Sequence, residues 1–136
     1  MRGFLALVGV WALVAGIAGS GQDSGEKRFV ATVGQDGVQR VEISGGAYYF
    51  DPNVIVVKVN VPVEFVVKKI GGLPHNIVLR APDAGIDFKE SLSKEPKSIK
   101  FTPTKTGKYP FWCGEKPPFG KSHKDRGMAG MLEVVD

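Results

Sequence analysis

The sequence predicts an all-β domain, a β-sandwich or β-barrel of about seven or eight short strands. The 136 residues are enough for one domain with a single hydrophobic core. The 18 glycines and 9 prolines are many for this length and are typical of closely spaced turns. Several runs alternate in side-chain character or are rich in β-branched residues, and both patterns favour strands over helices.

The predicted strands lie between recognisable turn signals. Asp36-Gly37 is a strong turn dipeptide. Asn60-Val61-Pro62 separates two valine-rich runs, and Thr104-Lys105-Thr106-Gly107 separates two later strands. The predicted strands cover residues 28–34, 38–43, 54–59, 63–70, 76–79, 98–101, 108–113 and 131–135.

Two segments do not follow the strand pattern. Residues 82–96 carry scattered apolar residues and several charges between Pro82 and Pro96, which predicts a short helix or an irregular segment. Residues 114–127 are rich in glycine, proline and charge, which predicts a long loop before the last strand. We expect the folded domain to cover residues 28–136.

The N-terminal residues have the pattern of an export signal. Arg2 supplies a positive start, and residues 4–18 form an uninterrupted apolar and small-residue run that suits cleavage after Ala18. We therefore predict a signal peptide over 1–18, a flexible leader over 19–27 and a periplasmic or other extracytoplasmic location. The alternative is an uncleaved membrane anchor, but the run is shorter than the roughly 20 residues that span a bilayer.

The charge pattern excludes one class of partner. The chain has 18 basic and 14 acidic side chains and a formal net charge of +4. It contains no run of lysine or arginine of the kind that forms a nucleic-acid footprint, so we expect no nucleic-acid partner. The mild positive charge is compatible with acidic partner surfaces or with ordinary solvation.

The single cysteine raises a question about metal binding. An exported chain with one cysteine has no intramolecular disulfide, so the Cys113 thiol must be buried, paired with another chain or bound to a metal. Both histidines of the chain, His75 and His123, and one methionine, Met128, also lie beside turns at strand ends. Two imidazoles and a thiolate suit copper, with a thioether as weak axial ligand. From the residues alone, a core thiol and a core methionine remain open alternatives, the latter more so for Met131.

Four short motifs resemble those of the cupredoxin family, in the family's order. Gly107-Lys108-Tyr109-Pro110-Phe111-Trp112-Cys113 is similar to the penultimate strand, which ends in the cysteine ligand. The segment 123–130 resembles the H-x4-M motif, and Gly72-Leu73-Pro74-His75-Asn76 resembles the plastocyanin G-x-P-H-N. Tyr49-Phe50-Asp51-Pro52 is similar to an early strand motif. The resemblance covers residues 38–136.

The resemblance implies a fold and a ligand set. The fold is a Greek-key β-sandwich that holds one copper ion. His75 and His123 would bind the ion through Nδ1 and Cys113 through sulfur, with Met128 axial. Asn76 would bridge the two ligand-bearing loops by hydrogen bonding, which orients the ligands.

The implied function is one-electron transfer without enzymatic turnover. Electrons would enter and leave through His123, and redox proteins would dock transiently around it on a chain that we expect to be monomeric. Pro117, Pro118 and Phe119 belong to the expected docking residues. The whole apolar docking patch would consist of Leu73, Pro74, Pro117, Pro118, Phe119 and Ala129.

One departure from the family keeps other functions open. Nine residues, 114–122, separate Cys113 from His123, which is more than single-copper cupredoxins usually place there. A binuclear copper centre is excluded because it would need a second cysteine in this loop. The alternatives are a copper-binding or delivery protein, an open-site copper redox enzyme and a domain that binds no metal.

Overall fold

The computed structural model describes residues 25–136, so the predicted signal peptide over 1–18 and most of the predicted leader lie outside the described residues. Among the described residues no helix is long and apolar enough to cross a membrane. These residues form ten strands and one short 3-10 helix, Pro82–Ala84. The strands are β1 (Arg28–Val30), β2 (Gln39–Gly46), β3 (Tyr49–Asp51), β4 (Val54–Lys58), β5 (Val63–Lys69), β6 (Asn76–Ala81), β7 (Ile86–Ser91), β8 (Lys97–Phe101), β9 (Gly107–Trp112) and β10 (Ala129–Val135).

The strands form two sheets that pack as a β-sandwich. One sheet has the order β1-β4-β10-β9-β6-β7 and the other the order β3-β2-β5-β8. Strand β4 pairs in parallel with β1 and β10, and β2 pairs in parallel with β5, whereas the other pairs are antiparallel. The predicted all-β sandwich is confirmed.

The core lies between the two sheets, and in strands such as β2 and β5 alternate residues turn inward. In β2, Val41 and Ile43 are buried while Arg40 and Glu42 are exposed, as the period-2 pattern of a half-buried strand requires. The largest fully buried side chains include three phenylalanines, one from each of β3, β5 and β9. They are Phe50, Phe65 and Phe111.

The segment 82–96 differs from its prediction. The helical part is limited to the three-residue 3-10 helix, and the edge strand β7 follows it directly. In β7 only Ile86 is fully buried, while Asp87 and Lys89 face solvent. A strand at the edge of a sheet presents few apolar residues. Because the outer face of β7 is charged, the sequence did not show the apolar alternation that predicts a strand. The short strand β3 was not among the predicted strands, although the sequence Tyr49-Phe50-Asp51-Pro52 resembles an early strand motif of the family.

The order of strands brings three chain segments together at one end of the sandwich. Strand β9 lies between β6 and β10 and runs antiparallel to both. The end of β9 therefore lies beside the starts of β6 and β10. Cys113 follows β9, His75 precedes β6, and the loop before β10 carries His123, so the topology collects these residues at the same end.

Candidate metal centre

The cysteine lies on top of an aromatic layer of the core. Tyr109, Phe111 and Cys113 share one face of β9 and its continuation, and the last two are fully buried. The Phe111 ring packs edge-on against Phe50, with 5.2 Å between ring centroids. A stiff sheet and a packed core therefore fix the position of the Cys113 side chain.

The two histidines turn the same ring atom toward this thiol. The Nδ1 atoms of His75 and His123 lie 3.1 Å apart, and they lie 4.0 Å and 3.6 Å from Cys113 Sγ. All three side chains are buried. The structure thus brings together three of the four residues that the sequence singled out as ligands.

This triangle of donor atoms fits one transition-metal ion. The point equidistant from the three atoms lies about 2.1 Å from each, within the roughly 2.0–2.3 Å that first-row ions make with histidine nitrogen and cysteine sulfur. Two imidazoles and one thiolate are a set typical of trigonal copper sites. The donor set present in the chain therefore fits copper.

Met128, the fourth expected ligand, lies fully buried at the same end of the sandwich. Its backbone N–H donates to the carbonyl of His123 and its own carbonyl accepts from the N–H of Cys113, both at 3.0 Å. Its methyl carbon lies 3.2 Å from the point that a Cβ on Gly45 would occupy. A Cβ at position 45 would come still closer to Leu92, at 2.6 Å, so the glycine leaves space that the side chains of Leu92 and Met128 fill.

The long loop is closed at its base. The backbone N–H of His123 donates to the carbonyl of Glu115 at 3.0 Å, two residues after the cysteine. The extra residues project from this bond and do not displace the histidine. A turn then follows, in which the N–H of Arg126 donates to the carbonyls of Ser122 and His123.

Asn76 lies between the two ligand-bearing loops. Its backbone N–H donates to Cys113 Sγ over 3.4 Å, and its side-chain oxygen accepts from the N–H of Gly114. Its side-chain nitrogen lies 3.5 Å from a carboxylate oxygen of Glu115. One residue next to His75 thus contacts three consecutive residues of the other loop.

Burial favours the uncharged forms of Cys113 and His75 in the metal-free site. It raises the pKa of the Cys113 thiol, and backbone N–H groups of Asn76 and Glu115 offset part of that rise. Burial also lowers the pKa of His75, and His123 and Lys69 lower it further. Binding a metal ion therefore has to displace a thiol proton, whereas the imidazole of His75 is ready to coordinate.

Sequence reasoning missed the contribution of Tyr48. Its ring packs edge-on against His123 with 5.0 Å between centroids, and the guanidinium of Arg126 lies 5.1 Å from the centre of the Tyr48 ring. Lys124 lies 4.7 Å from the Trp112 ring. The only sequence signal was the position of Tyr48 next to the early strand motif. From the sequence, Lys124 and Arg126 suited a solvated rim and the steering of an acidic redox partner equally well.

A cleft of about 290 Å³ opens beside His123, which is only 5% exposed. Pro117 and Pro118 line the cleft, while Phe119 projects from the loop with 91% of its surface exposed. The complete lining consists of Leu73, Pro74, Glu115, Lys116, Pro117, Pro118 and His123.

Comparisons with known proteins agree with this geometry. The family model described as "Cupredoxin-like domain" matches residues 5–123. No curated protein matches the sequence. Among solved structures, the chain is similar to the metal-binding domain of the Cu(I)-exporting P-type ATPase CopA of Streptococcus pneumoniae D39. That similarity has a TM-score of 0.61 and 20% identity, over 81% of this chain and 97% of the other.

Two further structures are similar. A copper-binding protein in its apo form gives a TM-score of 0.56 and 25% identity, over 79% of this chain and 96% of the other. Auracyanin from the photosynthetic bacterium Roseiflexus castenholzii gives a TM-score of 0.54 and 20% identity, over 78% of this chain and 99% of the other. The family match, the sandwich and the buried donor set together lead to one conclusion: the chain belongs to the cupredoxin-like domain family, and its cofactor is copper.

Proposed function

We propose that the protein carries one electron at a time between redox partners, through a single copper ion that His75, Cys113, His123 and Met128 would hold. The observation that carries the proposal is the convergence of three buried donor atoms within 4.8 Å of one another. Copper bound there supplies the Cu(II)/Cu(I) couple. The protein supplies the geometry.

Rigidity of the ligand frame supports a carrier. A one-electron site works fast when its ligands move little between oxidation states. Here Cys113 continues a central strand, Met128 is hydrogen-bonded to Cys113 and His123 through the backbone, and the Glu115 carbonyl fixes the loop. The backbone carbonyl of His75 accepts from the N–H of Leu92 at 2.9 Å, so each proposed ligand has a support that does not depend on the metal.

The cleft beside His123 supports the proposal that electrons enter and leave the site through this histidine. His123 contributes to the cleft lining, so a partner that covers the cleft comes close to a ligand. The apolar residues Leu73 and Pro118 of the cleft lining, together with the exposed Phe119 of the same loop, suit a small docking surface that releases quickly. We propose that the protein is a monomer in solution, which light scattering would check.

Copper delivery is the second candidate function, because two similar structures are described as copper-binding or as part of a copper exporter. Delivery requires a partner's ligand to reach the metal. The burial of all four donors disfavours it, as it disfavours an enzyme whose substrate binds copper directly. We therefore rank both below electron transfer.

The deciding experiment compares redox cycling with copper exchange. Protein film voltammetry of the copper-loaded protein should give a reversible one-electron wave. Incubation with a high-affinity chelator should leave the copper bound for many cycling times. Rapid copper loss to the chelator, with slow or irreversible electron transfer, would reject the carrier and favour delivery.

We also propose export, with residues 1–18 as a cleaved signal, 19–27 as a leader and 28–136 as the copper domain. The apolar N-terminal run supports this proposal. N-terminal sequencing of protein from fractionated cells should find a start near residue 19 in the extracytoplasmic fraction. An intact Met1 in the cytoplasmic fraction would contradict it.

A further inference from the structure

The turn that carries His123 is attached to neighbouring elements by its cationic side chains. Lys124 lies 4.7 Å from the centre of the Trp112 ring, at the end of β9. Arg126 lies 5.1 Å from the centre of the Tyr48 ring, which belongs to the connection between β2 and β3 in the other sheet. Cation–π contacts at these distances are attractive. The turn is therefore held from both sheets.

Tyr48 also touches the ligand itself. Its ring lies edge-on to the His123 imidazole, with centroids 5.0 Å apart and planes at 61°. His75 lies 5.0 Å from the same imidazole at 60°. Tyr48 is partly buried and packs against the hydrophobic core, which holds the position of its ring.

These contacts restrict the rotation of the His123 ring, which the backbone hydrogen bonds of His123 leave free. The backbone bonds of His123 to Glu115 and Met128 fix where its main chain lies, but they do not fix the rotation of its ring. Tyr48 packs against that ring, and Arg126 lies over the face of Tyr48. A bulky neighbour of fixed position limits the rotamers of a side chain.

We propose that Tyr48 is a positioning residue for the copper site, which keeps the His123 imidazole turned with Nδ1 toward Cys113, and that Arg126 in turn holds Tyr48. The proposal rests on the proposed ligand role of His123. The tyrosine acts through its ring, since no hydrogen bond of its hydroxyl is found among the described residues.

The test compares two substitutions at Tyr48 in the copper-loaded protein. Tyr48→Leu removes the ring, and we expect it to weaken copper binding on the order of 10-fold and to alter the copper hyperfine splitting. Tyr48→Phe keeps the ring and should retain both wild-type values. Tyr49→Leu is the matched control, because it makes the same change on the adjacent, more exposed tyrosine.

The outcomes separate this inference from the proposed function. Wild-type affinity and hyperfine splitting in Tyr48→Leu would overturn it, and so would a Tyr48→Phe variant as impaired as Tyr48→Leu. If Tyr48→Leu does not fold, Arg126→Gln replaces it, with an expected loss of roughly two- to fivefold in copper affinity, and no loss would overturn the inference. A wild-type protein without a thiolate–copper spectrum would instead reject the proposed function.

Discussion

At the scale of single residues, the carboxylate of Glu115 places a negative charge near the donor atoms. The Glu115 carboxylate lies against Asn76. Burial lowers the pKa of His75, and the Glu115 charge offsets part of that lowering, whereas burial raises the pKa of Cys113 and the same charge adds to that rise. The same field acts on a bound metal. A negative charge favours the oxidation state with the higher positive charge, so Glu115 should lower the reduction potential.

Glu115→Gln should therefore raise the reduction potential, by on the order of tens of millivolts. Voltammetry at low ionic strength measures the shift. Asp83→Asn is the control, because it removes the same charge from the 3-10 helix that follows β6, whereas His75 precedes that strand. A shift for Glu115→Gln no larger than that of the control would contradict this role.

The protonation of His75 and Cys113 predicts how pH affects the stability of the copper-free protein. The pKa of His75 is lowered from its usual 6.5, so the unfolded state binds more protons and the free energy of unfolding falls as pH drops below 6.5. The pKa of Cys113 is raised from its usual 9.0, so the unfolded state loses its proton first and stability falls as pH rises above 9.0.

Urea unfolding at several pH values checks these signs. Wild type and Cys113→Ser should differ by a constant amount below pH 9, and the difference should shrink above it, because only the wild type loses stability through the thiol. A difference that stays constant into the alkaline range would show that burial does not raise the thiol pKa.

At the scale of elements, the pairing of β9 with β10 depends on a glycine. Gly130 lies opposite Phe111, and a Cβ at position 130 would overlap the Phe111 ring and come within 2.6 Å of the Asn53 carbonyl oxygen. Since a sheet and a packed ring both resist movement, the overlap cannot be relieved locally.

Gly130→Ala should destabilise the metal-free protein by about 1–3 kcal/mol, the usual cost of overpacking. The urea midpoint measures the change. Gly72→Ala is the matched control, since a Cβ there meets nothing within 4 Å and should change stability little. Equal midpoints for the two variants would mean that Phe111 moves aside without cost.

The elements and residues that sequence reasoning found are those with strong local signals. The valine-rich strands and the segment ending in Cys113 were recognisable because apolar alternation and short motifs lie within a few residues of one another. Strand β7 was missed because its outer face is charged. Tyr48 was missed because its contact with His123 joins residues 75 positions apart, which no local pattern encodes.

At the scale of the whole molecule, the sandwich converts distant sequence positions into one compact site. The central position of β9 places Cys113 between the segments that carry His75 and His123, and the loop bond to Glu115 returns His123 in spite of nine intervening residues. From the sequence, the length of this loop was the main reason to question whether His123 reaches the copper site. Its extra residues contribute instead to the cleft and to the exposed Phe119.

The visible absorption and electron paramagnetic resonance spectra of the Cu(II)-loaded protein, recorded beside those of Cys113→Ser, test the copper site most directly. A trigonal site with a thiolate ligand predicts an intense visible band, a narrow copper hyperfine splitting and reversible bleaching by a reductant, all lost in Cys113→Ser. A pale wild-type protein with an ordinary tetragonal copper signal, or a band that survives in Cys113→Ser, would contradict the proposed ligation.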